Sequence, residues 1–261
     1  LLKDYLQVQD ILGFQGILNG TTNYILCEME NNDLSFGEAL SQAQELGFAE
    51  QDPTNDVKGF DARYKLVILT YLITGQWLAP EQITLEGIDH LEAADFEYAE
   101  RMGRRIKLIA NLRLDDNGIQ IYVLPLMIEK DDMLAKISGS TNAVTLSGKY
   151  TEDITLIGKG AGSLPTASAI VSDLNKVKRH PEPFPPPPTS GKLTIEAMKN
   201  IRFRHTLRFE VRDHPGIFGH IGKIFERHSI NIYALEQLPQ YHRIGKKGEE
   251  NVIFTLTLQN C

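Results

Sequence analysis

The segment HPEPFPPPPTSG, His180 to Gly191, places six prolines in a short run. Proline fixes φ, lacks a backbone donor and cannot continue a helix or an inner strand, so the run favours extended polyproline conformation. It divides the chain into a large part, residues 1–180, a linker, 181–203, and a small part, 204–261. Each part must then bury a core of its own. A length of 261 residues with 42% hydrophobic content provides the material for that.

The large part is helical first and strand-rich afterwards. TTNYILCEMENN follows a Gly-Thr-Thr turn. SFGEALSQAQELG opens with a capping box, Ser35 answered by Glu38, and presents Ala39, Leu40, Ala43 and Leu46 on one face. Gly47 follows where a helix C-terminus takes a left-handed residue. A long helix is predicted after Asp56 and another from Ala93 to Met102. Beyond Arg105 the apolar residues alternate. IKLIANLRL and IQIYVLPLMI, joined by DDNG with the tight-turn pair Asn117-Gly118, predict a hairpin, and NAVTLSG and DITLIG two further strands. LIGKGAGSLPTASAIVSDL reads as strand, glycine loop and helix, with Ser163 near the N-cap and Pro165 in the first turn. Ala167, Ile170, Val171 and Leu174 give that helix one apolar face.

Helices followed by strands, without regular β-α alternation, predict an α+β fold with helices packed on a mixed or antiparallel sheet. The small part reads strand (HTLRFEVRD), helix (PGIFGHIGKIFERH), strand (INIYALEQL), strand (NVIFTLTLQ). One helix covers such a βαββ sheet only in part, which leads us to expect further residues beyond Cys261.

A net charge of −7 argues against a nucleic-acid partner. The basic runs RMGRRIK (Arg101 to Lys107) and KVKRH (Lys176 to His180) are expected to be solvated helix faces. The longest apolar stretch, Leu66 to Ile73, is too short to cross a bilayer, and no signal peptide precedes the first helical pattern. Two cysteines, Cys27 and Cys261, point to a reducing compartment, so a cytoplasmic placement is expected. The chain starts at Leu1 inside a helical pattern, and a natural N-terminal portion is expected to be missing.

EQDPTNDVKGFDARYK, Glu50 to Lys65, holds four carboxylates and three bases ahead of an apolar run. Projected at roughly 100° per residue, Asp61, Lys65, Ile68 and Leu72 share one sector, with Arg63 and Thr70 opposite. Arg63 and Thr70 are therefore expected to face water, and Asp61 and Lys65 to face the interior or a cleft. A surface Asp–Lys pair is worth only about 0.3–0.5 kcal/mol. On a buried face the pair costs roughly several kcal/mol to desolvate, and is either compensated structurally or used as an acid–base group. Both readings stay open at this point. Glu50, Asp52 and Asp56 lack the spacing and central glycine of a calcium loop, and no histidine lies nearby for zinc. Asp52-Pro53 reads as a turn and Asp56 as a helix cap, so no metal is expected.

GILNGTTNYIL (Gly16 to Leu26) followed by LGFAEQDPTNDVKGFDARYKL (Leu46 to Leu66) resembles the signature of the homoserine dehydrogenase family. EGIDHL, IKLIA, STNAV and GKGAGSLPTASAIVSDL follow in the family's order, so the resemblance covers nearly the whole chain. The family reduces aspartate semialdehyde reversibly to homoserine with NADPH or NADH. The resemblance implies Lys65 as proton donor to the aldehyde oxygen and Asp61 as the acid that helps hold substrate and lysine. It further implies Glu50 and Asp56 as ligands of the substrate's ammonium, and Gly20, Thr21 and Thr22 as lining of the cleft. Gly47, Gly160 and Gly162 would offer backbone to NADP or NAD. Beside these roles, Gly47 still reads as a helix C-cap and the loop Gly158–Gly162 as a tight strand–helix turn. Lys159 departs from the proline or small residue common in the family at that position.

RDHPGIFGHIGKIFERHSINI resembles an ACT domain, a small ferredoxin-like regulatory fold. That implies an amino-acid effector such as threonine near Asp213, Pro215, Gly216 and Asn231, and a homo-oligomer, dimer or tetramer. His214 stands where other ACT sequences vary, and the last helix and strand of the pattern are not found. The family begins with a Rossmann domain bearing G-x-G-x-x-G, and no such fingerprint opens this chain; the family's cation-binding backbone also lies upstream of the Gly-Thr-Thr-Asn segment. The expectation is an oxidoreductase chain lacking its nucleotide domain, inactive in isolation. The rival is a non-catalytic, ACT-containing amino-acid sensor or dimerisation module, against which the joint presence of Lys65, Asp61, Glu50 and Asp56 speaks.

Overall fold

Alternating apolar residues become long paired strands, and the amphipathic segments before them become the helices that lie on those strands. The computed structural model describes residues 11–115, 118–150, 152–179, 194–196, 201, 203–237, 243–244 and 250–258. The proline run and Asn117 lie outside them. Two compact units result, Leu1–Ala93 with Gly103–Glu196, and Ala94–Met102 with Ala197–Cys261.

In chain order come β1 (Ile11–Ile17), α1 (Gly20–Asn32), α2 (Phe36–Glu45), α3 (Thr54–Val57), α4 (Phe60–Thr74) and β2 (Thr84–Leu85). Then follow α5 (Ala93–Arg101), β3 (Arg104–Asp115), β4 (Gly118–Glu129), β5 (Thr141–Gly148), β6 (Glu152–Lys159) and α6 (Ser163–Arg179). The first unit is built on a six-stranded sheet ordered β2-β4-β3-β1-β5-β6. Its neighbours are antiparallel except β2, which runs parallel to β4. The β3–β4 hairpin closes on the pair Asp115 and Gly118. Ile17, Ile109 and Ala143, from three adjacent strands, pack with Leu134 and Ile137, and α1 and α4 lie against β3.

Helix α2 forms as its ends dictate. Ser35 N and Glu38 N each find the other residue's side chain, at 2.9 and 3.3 Å, which completes the capping box. At the far end Gly47 N donates to Gln44 O at 3.0 Å and Phe48 N to Ala43 O at 2.8 Å. This paired bond pattern needs a left-handed residue between helix and loop, and Gly47 has φ +74°.

Two expectations fail here. In α4 the buried stripe is Ala62, Leu66, Val67, Thr70 and Thr74, so Thr70 does not face water. Its hydroxyl donates to Leu66 O one turn back, at 2.8 Å, which satisfies the group and lets it bury. Arg63 folds its guanidinium over Phe60 and is half-buried. Tyr64, Lys65 and Ile68 form the open face instead. The run Arg101 to Lys107 is likewise not a solvated helix face. Arg101 ends α5, while Arg104, Arg105 and Lys107 belong to β3, and Lys107 is 1% exposed. By contrast, Lys176, Lys178 and Arg179 end α6 on an exposed face.

The second unit contains β7 (Thr206–Arg212), α7 (Ile217–Arg227), β8 (Ile232–Gln237), β9 (Arg243–Ile244) and β10 (Glu250–Leu258). Central β10 pairs antiparallel with β7, β8 and β9. Phe254 and Leu256 face α7 through Ile221, Ile217 and Phe225. The opposite face, bearing Arg208, Glu236 and Thr257, meets α5. Tyr98 Oη lies 2.6 Å from Thr257 Oγ1, Arg101 pairs with Glu236 at 2.5 Å, and Asp95 pairs with Arg208. A helix from far up the chain therefore covers the second face of this sheet.

Candidate active site

β1 ends at Ile17 and α1 begins at Gly20, so Leu18 and Asn19 form a tight strand–helix corner. Asn19 is the N-cap of α1: its extended backbone places its Oδ1 2.8 Å from Thr22 N. Its Nδ2 donates to Asp56 Oδ1 at 2.6 Å and to Asp61 Oδ2 at 2.9 Å. Lys65, one turn beyond Asp61 on α4, donates to the same Asp61 Oδ2 at 2.7 Å and to Leu18 O at 3.0 Å. Two elements thus converge on one corner, and the side chains of Lys65 and Asp61 remain 45% and 31% exposed. The pair is half-open, so neither the desolvation cost of burial nor the weakness of a free surface pair describes it.

Burial pushes the Asp56 carboxyl above its ordinary range, opposed by hydrogen bonding from Asn19. The charge of Asp61 adds to the rise, while Lys65 and the Thr21 hydroxyl oppose it. Thr21 also donates to Phe48 O at 2.6 Å, which ties the loop after α2 to this corner.

The other expected residues fall in distinct places. Thr22 is buried, its hydroxyl donating to Asn19 O at 3.0 Å, so it supports the corner from beneath. Glu50 is exposed in the loop between α2 and α3, its carbonyl accepting from Gln44 Nε2 at 3.0 Å. Gly20 packs so closely that a Cβ there would meet Ser140 O at 2.6 Å. Gly160 abuts Asn142, where a Cβ would come within 2.2 Å of Nδ2. Gly162, φ +119°, turns the chain into α6. Gly47 has open space around it and ends α2. In the second unit Asp213, Pro215, Gly216 and Asn231 are exposed, Gly216 standing as N-cap of α7.

Two site residues escape sequence reasoning, Asn19 and Asn142. Asn142 Nδ2 donates to Leu18 O at 3.2 Å, the carbonyl that Lys65 also uses, and so joins the glycine loop to the lysine. Asn19 does carry a local signal, a strong N-cap residue directly before Gly-Thr-Thr. Among the described residues no three His, Cys, Asp or Glu side chains are grouped to hold a metal ion. No described helix is long and apolar enough to cross a membrane.

The fold and the corner define an α+β unit with a lysine–carboxylate site set between a strand–helix corner and an open helix face. Residues 1–174 match the family model of homoserine dehydrogenase. The chain is 39% identical over 242 residues to the homoserine dehydrogenase of Helicobacter pylori, covering 92% of this chain and 58% of that one. It is 44% identical over 175 residues to the NAD(+)-dependent homoserine dehydrogenase of Pseudomonas canavaninivorans, covering 67% and 49%. The crystal structure of a homoserine dehydrogenase from Thiobacillus denitrificans superposes with a TM-score of 0.85 at 35% identity, over 100% of this chain and 60% of that one. The chain belongs to the homoserine dehydrogenase family. It spans between 49% and 60% of the length of these relatives.

Proposed function

We propose that this chain carries the substrate side of a site that interconverts aspartate semialdehyde and homoserine. The observation that carries the reading is Lys65. An ammonium has three donors; two are committed to Asp61 and Leu18 O, and the half-exposed side chain leaves the third for a substrate oxygen. In the reducing direction that N–H meets the oxygen on which negative charge develops and delivers the proton that completes the alcohol. Asp61 holds the amine in place. Asp56 and Glu50 supply negative charge for the substrate's ammonium, with Thr21 at the same corner.

NAD or NADP, when bound, supplies the hydride. The exposed glycines Gly158, at the end of β6, and Gly160 and Gly162, in the turn after it, fit part of such a group: a Cβ at Gly158 would meet open space, and α6 follows directly, the first-turn N–H groups of a helix having no acceptor within it. The exposed turn at Asp213, Pro215, Gly216 and Asn231 is assigned an amino-acid effector such as threonine. The full protein is read as a cytoplasmic homo-oligomer, dimer or tetramer. The assembled contacts among Asn19, Asp56, Asp61 and Lys65 count against a purely sensory remnant, which has no use for them.

Lys65→Ala in the full-length protein tests the assignment. Turnover is expected to fall by about 10²–10⁴, as loss of a general acid does, with dinucleotide affinity within about threefold. Undiminished kcat would remove Lys65 from the chemistry.

A further inference from the structure

Asn19 makes more contacts at the corner than a helix cap requires. Aspartate, serine and asparagine cap helices about equally well, because each offers an oxygen to the first turn. Only asparagine among them has two N–H donors left after capping. Here Oδ1 is taken by Thr22 N, which fixes the orientation of the amide and aims Nδ2 at the carboxylates. Both hydrogens are then used, one on Asp56 and one on Asp61, and Asn19 itself is 6% exposed. Two carboxylates side by side repel, and the amide donates to both at once without adding charge.

We infer that Asn19 is a positioning residue for the reaction: its carboxamide, oriented by the α1 cap, clamps Asp56 as the ammonium receptor and Asp61 as the partner of Lys65. Asp61 Oδ2 is divided between the amide and Lys65, so the amide sets where the lysine sits. Asp56 Oδ1 is held by the amide, which turns the carboxylate so that it and the neighbouring Thr21 hydroxyl can meet the substrate's ammonium. The charged groups acting on Asp56 are Asp61 and Lys65 of α4. Nearby Lys58 is engaged at 2.7 Å with Asp89. This inference rests on the proposed reaction at the same site and adds to it a residue with no part in proton or hydride transfer.

The test uses the full-length protein with three variants, Asn19→Ser, Asn19→Asp and Lys65→Ala, measured by thermal unfolding and by homoserine oxidation kinetics across pH. Asn19→Ser keeps the cap and loses both donors. Its unfolding temperature is expected to stay within a few degrees of the parent, roughly as interchange of good N-caps implies. Its kcat/KM for homoserine is expected to fall about 10- to 100-fold, with the acid limb of the profile moved to higher pH and dinucleotide affinity unchanged. Asn19→Asp keeps the cap and sets a third carboxylate beside the other two, so its loss and its pH displacement should exceed those of the serine variant. A serine variant with parental kcat/KM and pH profile overturns the inference, as does a loss that follows unfolding temperature while the profile stays put. If Lys65→Ala turns over normally, the reading of the site falls and this inference with it. If Lys65→Ala is dead while Asn19→Ser is parental, only the inference falls.

Discussion

Lys65 and Asn142 share one acceptor, the carbonyl of Leu18, at 3.0 and 3.2 Å. Gly160 stands against the same asparagine, whose amide a side chain there would have to push aside. A side chain at position 160 would therefore press on Asn142, which shares its acceptor with the lysine. Gly160→Ala must displace either the asparagine or the loop, and kcat/KM is expected to fall at least about tenfold, equivalent to about 1.4 kcal/mol. Asn142→Ala removes the obstacle along with one donor. In a double-mutant cycle the Gly160→Ala change should cost clearly less in the Asn142→Ala background. Additive losses would show that the two positions do not communicate.

In the proposed reaction Asp56 gives up stability so as to hold the substrate's ammonium. Its carboxyl sits above the ordinary value of 3.8, chiefly through burial, so the folded chain holds this proton more tightly than the unfolded one. The ionised group therefore destabilises the fold. That cost is absent below the unfolded pKa and complete above the folded one, so stability from this group falls as pH rises through the window. Asp56→Asn keeps an oxygen for the Asn19 amide and discards the charge. Its melting temperature is expected to exceed the parent's at neutral pH, with the gain gone once pH falls below about 3. The homoserine KM should rise about tenfold or more as the ammonium loses a charged partner. Melts across pH and steady-state kinetics read the two effects separately.

What the sequence made legible was local. The capping box of Ser35 and Glu38 and the turn at Gly47 involve residues at most a few positions apart, and both form. The β3–β4 hairpin follows from period-two alternation. Counting apolar positions misplaces the α4 face because it treats Thr70 as polar, whereas its hydroxyl bonds within the helix, and treats Ile68 as core, whereas it is half exposed. Asn19 joins carboxylates 37 and 42 positions away, a convergence that no helical or strand period encodes. The signature of Asp61 and Lys65 was readable; the amide that holds them was not.

Lys107 shows the same limit in the core. Its Nζ donates to Ile137 O at 2.7 Å and Asn23 Oδ1 at 3.1 Å, and lies 3.3 Å from Cys27 Sγ. Asn23 in turn donates to Gly139 O at 2.8 Å and Thr141 O at 3.3 Å, binding α1 to the segment that leads into β5. Lys107→Ala would leave a cavity and two buried acceptors without this donor, at a cost of about 3–5 kcal/mol. Lys107→Met fills most of the volume and should cost about 1–3 kcal/mol. Denaturant unfolding of the two variants separates packing from hydrogen bonding, and equal losses would mean that the amine's bonds carry nearly the whole effect.

Helix α5 lies between β2 and β3 in the chain yet packs on the sheet of the second unit. Tyr98 is 1% exposed and its hydroxyl reaches Thr257, 159 positions later. Asp95 and Arg101 pair with Arg208 and Glu236 on the same sheet face. A chain cut after Arg179 therefore exposes the face of Tyr98 that this unit buries, and should melt earlier and aggregate. Tyr98→Phe tests the hydroxyl alone, with an expected loss of about 0.5–1.5 kcal/mol. If the shortened chain melts as sharply and as high as the parent, α5 draws its stability from elsewhere, and the second unit is an appendage that the first can lose without cost.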